Sequence, residues 1–453
     1  GVITAGPGGY VALLGAAVHN EGVVVANLGS IAMAAGQAAT LDMRGDGLIE
    51  FVVTDAVSGV VSGPNGESLA SYVSNTGTLQ ADGGMVTLTA NAATDIIKSV
   101  VNQEGVIRAQ SMEERNGVVV LSGGPEGIVS VSGTIDASGT GAGQTGGTVN
   151  VTGQYVGLFD HANINVSGDA GGGTVLVGGD YQGKNQNIQN AFRTYVSSNS
   201  TINADAITNG NGGKVVIWAD DVTRYYGTIS VRGGSESGDG GFVEVSGKRF
   251  LDFRGHVNAL APNGRIGTLL LDPTDITVVT TGGIDSAADV AAFATATCGA
   301  GDNSATCSIS PATLNAAGAT VILQAQNDIT VTDAINLTTT PDASLTMQAG
   351  RTITVNSSVA TNGAGNITMV ANNTDNNETD AAGGALTGSQ GTGRSAGLGN
   401  LIINGAISSG TGSIKLVASS AATLSGDPGT LTLSNNITTN GGTVTLKGPV
   451  TLG

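Results

Sequence analysis

The sequence predicts an all-β chain wound as a parallel β-helix, a solenoid of short strands with loop insertions. Three observations carry the prediction. Gly supplies 73 of 453 residues, aromatic residues are 3% and charged residues 11%, a composition that suits tight turns and a slender aliphatic interior better than a compact globular core. Hydrophobic residues still reach 40% and fall in alternating, strand-length patches that a disordered chain would not need. One grammar also recurs from end to end: a strand-sized run, a Gly/Asn/Asp turn, another run.

The clearest copy of that grammar lies in residues 212–278, where Lys214-Val-Val-Ile-Trp218 and Gly241-Phe-Val-Glu-Val-Ser246 alternate with turns. The element Gly-x-apolar-x-apolar begins at Gly84, Gly147, Gly173, Gly213 and Gly241, and the last four are spaced 26, 40 and 28 residues apart. The long interval marks an insertion at residues 181–196. A second strand lies between successive elements, as in Gly133-Thr-Ile-Asp-Ala137, Asn163-Ile-Asn-Val166, Thr201-Ile-Asn-Ala204, Gly227-Thr-Ile-Ser-Val231 and Gly255-His-Val-Asn-Ala259. Runs this short cannot stand alone as hairpins. They are expected to stack in parallel on the same run of the neighbouring units, at about 4.8 Å, so that each unit completes the backbone hydrogen bonds of the next. Gly and Asn are expected at the corners because they tolerate positive φ. At ~23 residues per turn the chain would make about 20 turns and a rod about 95 Å long.

Composition divides the chain into residues 1–270, 271–308 and 309–453. The first part holds 13 of the 17 Lys and Arg residues and every aromatic residue except Phe293. The second is read as a connecting insertion, with an Ala-rich stretch at 285–297 expected to form one or two helical turns, followed by a loop between Cys298 and Cys307. Two thiols across a short polar loop suit a disulfide hairpin in an oxidising compartment, with two free thiols as the alternative; a zinc site would need further ligands. From Ile309 the coil is expected to resume in a sparer form, interrupted by a polar insertion at 372–399.

The net charge of −18 opposes binding to phosphate backbones, so no nucleic-acid partner is expected. No apolar run is long enough for a membrane-spanning helix. The chain starts at Gly1 without a leader pattern and stops within its strand grammar, and both ends are expected to continue into more coil.

Residues 212–278, with Gly8-Gly-Tyr-Val-Ala-Leu-Leu-Gly15, Gly29-Ser-Ile-Ala-Met-Ala-Ala-Gly36, Thr40-Leu-Asp42 and Gly45-Asp-Gly-Leu48, resemble the filamentous haemagglutinin family of two-partner-secreted exoproteins. Ile309-Ser-Pro-Ala-Thr-Leu-Asn315 through Asp328-Ile-Thr-Val-Thr-Asp-Ala-Ile335 resembles the downstream repeats of its large adhesins. The resemblance implies a right-handed coil, exported through an outer-membrane β-barrel transporter and displayed on, or released from, a Gram-negative cell. The family's Asn-Pro-Asn-Gly secretion motif has no counterpart in its expected setting, since Pro64-Asn65-Gly66 and Pro262-Asn263-Gly264 lie elsewhere.

Recognition is expected on loops that interrupt the coil, foremost the insertions at 181–196 and 372–399. The insertion at 181–196 carries Phe192, Arg193 and Tyr195, residue types that make contact hot spots, although covering a coil seam is an equal reading. Arg44-Gly45-Asp46 spells an integrin-type tripeptide and reads more simply as a turn. Asn150, Asn165, Asn199, Asn336, Asn356, Asn366, Asn372, Asn377 and Asn436 open glycosylation sequons, which a chain rich in Asn, Ser and Thr generates by chance. Asp220 with Asp221, Glu236 with Asp239, and the acids at 375–380 match no calcium-binding repeat. His19, His161 and His256 are far apart and belong to no catalytic motif. The expectation is therefore a non-enzymatic adhesin shaft or structural filament without cofactor, whose partners are a receptor or glycan on a host or neighbouring cell and further copies of itself in fibres. Two rivals stay open: a polysaccharide-degrading enzyme built on a β-helix, and the shaft of a contact-dependent toxin-delivery protein.

Overall fold

The computed structural model describes residues 1–43, 49–55, 57, 61–63, 66–67, 69–91, 100–112, 115–281, 307–373, 379, 381–382, 399–418 and 429–453. The chain is nearly all β, a parallel β-helix whose strands pair with their counterparts in neighbouring turns. It divides into two compact units: residues 1–243 with 260–267 and 285–297, and residues 244–259 with 268–284 and 298–453. The compositional divisions at 270 and 308 are a separate reading, and most of residues 271–308 lies outside the described ones, including the stretch expected to be helical.

The first unit winds around three sheets. Face A contains Thr78–Gln80, Val106–Arg108, Thr134–Asp136, Asn163–Asn165, Thr201–Asn203 and Thr228–Ser230. Their middle residues Leu79, Ile107, Ile135, Ile164, Ile202 and Ile229 are direct partners in register and at most 2% exposed. Each such side chain contributes roughly 1.5–3 kcal/mol by leaving water. Face B contains Ser30–Ala35, Met85–Ala90, Val118–Ser122, Thr148–Thr152, Thr174–Val177 and Lys214–Ala219, and stacks Val86, Val119, Val149, Val175 and Val215 in the same manner. Face C contains Val18–Asn20, Val73–Asn75, Val101–Gln103, Ile128–Val131, Tyr155–Leu158, Arg193–Val196 and Val222–Tyr225.

Turns of the first unit are longer than the ~23 residues expected. Along the face A column the chain advances by 28, 28, 29, 38 and 27 residues. The corners and connections absorb the difference. The two longest connections of this unit, from Ala35 to Val73 and from Val177 to Arg193, both join face B to face C, and the first includes an antiparallel pair, Ala38–Met43 with Ile49–Asp55.

The glycine that opens each face B strand is needed for a reason the sequence reading missed. Gly117, Gly147, Gly173 and Gly213 form a column without left-handed φ. A Cβ on Gly147 would stand 2.2 Å from the carbonyl oxygen of Gly117, and one on Gly173 would stand 2.1 Å from that of Gly147. Close backbone approach, not positive φ, selects Gly here.

The second unit has shorter, more uniform strands. Ile276–Val278, Ile329–Val331, Ile353–Val355, Leu401–Ile403 and Leu431–Leu433 form one parallel sheet, with Thr277, Thr330, Thr354 and Thr432 between inward-facing aliphatic residues. Ile335–Leu337, Val359–Thr361, Ile407–Ser409 and Ile437–Thr439 form another, and Thr320–Ala325, Leu345–Ala349, Ile367–Val370 and Ile414–Val417 belong to a third. Where the coil was expected to resume at once, Pro311–Asn315 forms a single α-helical turn. Ser310 before Pro311 is a helix-start signal, Ser at the N-cap and Pro in the first turn.

Candidate recognition surface

Phe192, Arg193 and Tyr195 do not share one protruding loop. Arg193–Val196 is a face C strand, paired in parallel with Tyr155–Leu158 on one side and Val222–Tyr225 on the other. Alternation turns Thr194 and Val196 inward and Arg193 and Tyr195 outward. Thr194 hid the strand from sequence reading because its inward position is polar. Its hydroxyl is satisfied by donating to the Trp218 carbonyl at 2.6 Å.

Outward does not mean exposed. Arg193 is 8% and Tyr195 2% exposed, against 42% for Phe192. The Arg193 Nε donates to Asp221 Oδ2 at 3.0 Å, and Asp221 is also buried. Tyr195 packs against Phe159 and Tyr226, with centroids 5.3 and 6.0 Å away. Phe192 meets Tyr155 edge-on at 6.0 Å and an interplanar angle of 88°, while the Arg193 guanidinium lies 5.2 Å from the Phe192 ring centre. Gly157 makes room for this layer, since a Cβ there would stand 2.1 Å from the Phe159 ring. The result is a fixed aromatic patch with Phe192 as its exposed edge. It can make apolar and cation–π contacts, whereas its buried carboxylate is committed to Arg193.

The rest of the expected insertion begins two residues earlier than expected, and residues 179–190 pack over the outer side of face B. Ile188 contacts Leu176, Val216 and Trp218, all three buried. Asp180 Oδ1 accepts from Lys214 Nζ at 2.5 Å and from the Tyr181 amide at 2.7 Å, and Asp180 Oδ2 accepts from Asn185 at 2.9 Å. Burial raises the Asp180 pKa, but the bonds from Lys214, Asn185 and the Tyr181 amide outweigh it and leave the carboxyl below its ordinary range.

The other candidates are scattered. Arg44, Gly45 and Asp46 lie outside the described residues, as does Cys298; Cys307 is disulfide-bonded, and no described cysteine is free. His19 faces Glu21 at 3.0 Å, and His161 and His256 are exposed on other turns. Acidic turns serve the chain itself. Asp220 accepts from Trp218 Nε1 and Asn190, both at 3.2 Å. Asp239 accepts from the Arg265 amide at 2.8 Å and from its guanidinium, which lowers its pKa. Among the described residues no group of three His, Cys, Asp or Glu side chains could hold a metal ion, and no helix is long and apolar enough to cross a membrane. The sequon residues Asn165 and Asn366 use their side-chain oxygens on the amides of Ser167 and Ser413, at 3.1 and 2.7 Å.

Two features escaped sequence reading. An open cavity of about 780 Å³ lies beside His19, lined by Glu21, Ser62, Glu67, Ser71 and Ser74 among others. Inside the coil, Asn20 Nδ2 donates to Asn75 Oδ1 and Asn75 Nδ2 to Gln103 Oε1, both at 2.8 Å. The shared register of three amide residues at strand ends was the available signal.

No family model matches the chain, and no curated protein matches it. Among solved structures, it is similar to the HMW1 secretion domain from Haemophilus influenzae, at 30% identity, with 60% of this chain and 64% of that one covered and a TM-score of 0.46. The chain thus spans less than two thirds of that structure's length.

Proposed function

We propose that this chain is a non-enzymatic segment of a fibrous exoprotein that a Gram-negative bacterium exports through an outer-membrane β-barrel transporter. Outside the cell it acts as the shaft of an adhesin or as a structural filament, remaining at the surface or being released. The observation that carries the reading is the neighbour-only pairing of the strands, exemplified by Ile107, Ile135 and Ile164 in consecutive turns. Such a coil can form turn by turn as the chain emerges. The resemblance of residues 212–278 and 309–335 to two-partner-secreted exoproteins supplies the export route. The partners that follow are the transporter during export, then a receptor or glycan on another cell, and further copies of the chain in fibres. The Phe192 patch is our choice of contact surface, because it joins an exposed ring to a fixed cation.

Co-expression with and without a candidate transporter in a Gram-negative host tests the export step. Transporter-dependent appearance of folded, externally protease-accessible chain is expected; retention behind the outer membrane with the transporter present would refute it. Attachment of displaying cells to a target surface, reduced about tenfold by Phe192→Ala as for a contact hot spot, tests the adhesive role. Absence of attachment would leave a filament without adhesive function.

A further inference from the structure

We propose that residues 179–190 form a strap that opens as a local unit, uncovering the apolar stripe of Leu176, Val216 and Trp218 while the coil beneath stays wound. The strap contributes no strand to a sheet. Its short backbone hydrogen bonds close on itself: Gly183 N donates to Asp180 O, Lys184 N to Tyr181 O and Ile188 N to Asn185 O. Its base is pinched shut, because Ala191 N donates to Gly178 O at 2.7 Å. The segment is therefore a closed Ω-type loop whose movement need not break the sheet below.

Side chains fasten it instead. Asp180 is held by Lys214, Gln189 Nε2 donates to Gly124 O at 2.9 Å, and Asn190 Nδ2 donates to Asp220 Oδ1 at 3.2 Å. Asp220 also accepts from Trp218 Nε1, so the lock and the covered ring share one carboxylate. Tight backbone turns sit at the hinge and first bend, where Gly178, Gln182 and Gly183 have φ of 74°, 53° and 60°. A Cβ on Gly183 would stand 2.6 Å from the Trp218 ring, which shows how closely the strap lies on the stripe. A unit with side-chain fastenings over a sheet with a complete ladder belongs to the low-stability end of native-state opening.

Trp218 is the chain's single Trp, so its fluorescence reads this site alone. In native-state hydrogen exchange of the full chain, the amides of Gly183, Lys184 and Ile188 are expected to exchange about 100-fold faster than those of Val215 and Ile217. Asp180→Asn and Lys214→Met should each raise acrylamide quenching of Trp218 about threefold or more, with the far-ultraviolet circular dichroism unchanged. Exchange of strap and strand amides at one common rate would overturn the proposal, as would wild-type quenching in both variants. Should either variant fail to fold, the wild-type exchange rates decide.

Discussion

Polar groups inside the coil are satisfied in two ways, between turns for an amide ladder of the first unit and within a turn for two hydroxyls of the second. In the first, Asn20, Asn75 and Gln103 bond from one turn to the next, bonds that form only when the correct neighbour is in register, while Asn20 and Gln103 also bond to Gly22 O and Gly105 O of their own turns. In the second, the inward hydroxyls of Thr361 and Ser409 donate to Gly365 O and Gly412 O, both at 2.6 Å and both within their own turn. One amide pair of that unit, Gln324 with Gln348 at 2.7 Å, alternates with inward Leu323 and Met347 and so lies on the outer side of its sheet. Bonds between turns specify which turns meet, whereas bonds within a turn leave register to aliphatic packing. Asn75 must find Asn20 across 55 residues that include an antiparallel excursion.

Substitutions can break this contrast, beginning with the largest expected effect. Arg193→Ala should cost about 3–5 kcal/mol in urea unfolding, because it breaks the buried ion pair between Arg193 and Asp221 of the adjacent turn. Asn75→Ala should cost about 1–3 kcal/mol by removing the buried bonds it makes to Asn20 and Gln103. A double-mutant cycle of Asn75 with Gln103 should show a coupling of at least about 0.5 kcal/mol. Thr361→Val should cost about 1 kcal/mol, and its cycle with Ser409 should be additive within about 0.5 kcal/mol. Equal coupling in both cycles would erase the distinction.

The smallest effect concerns the strap. Since the Asp180 carboxyl is held below its ordinary value in the folded chain, its contribution is complete above the unfolded value of about 3.9 and is lost as pH falls through the lower folded value. Acid titration should therefore change Trp218 emission below about pH 4 in the wild type, and that change should be lost in Asp180→Asn. A pH-independent emission would contradict the assignment.

Much of the coil was legible because its inward residues obey a strict period of two. Ile135, Ile164, Ile202 and Ile229 each sit in the centre of a short run, and each is the central residue of a face A strand. The glycines were legible as markers but not for their cause, since the close carbonyl belongs to a residue in another turn, as with Gly147 and Gly173. Arg193–Val196 was read as loop because Arg193 and Thr194 are satisfied by Asp221 and the Trp218 carbonyl, partners 28 and 24 residues away. The amide ladder was hidden for the same reason. A buried Asn announces a core role only when its neighbour in the next turn is known.

Contacts between consecutive turns test the account most directly. In the full chain carrying ¹³C-labelled isoleucine methyl groups, nuclear magnetic resonance should show cross-peaks linking Ile107 to Ile135 and Ile135 to Ile164, the partners in parallel register. No direct cross-peak should join Ile107 to Ile164. A direct Ile107–Ile164 contact, or absence of both neighbour contacts in the folded chain, would contradict a coil built by turn-on-turn stacking.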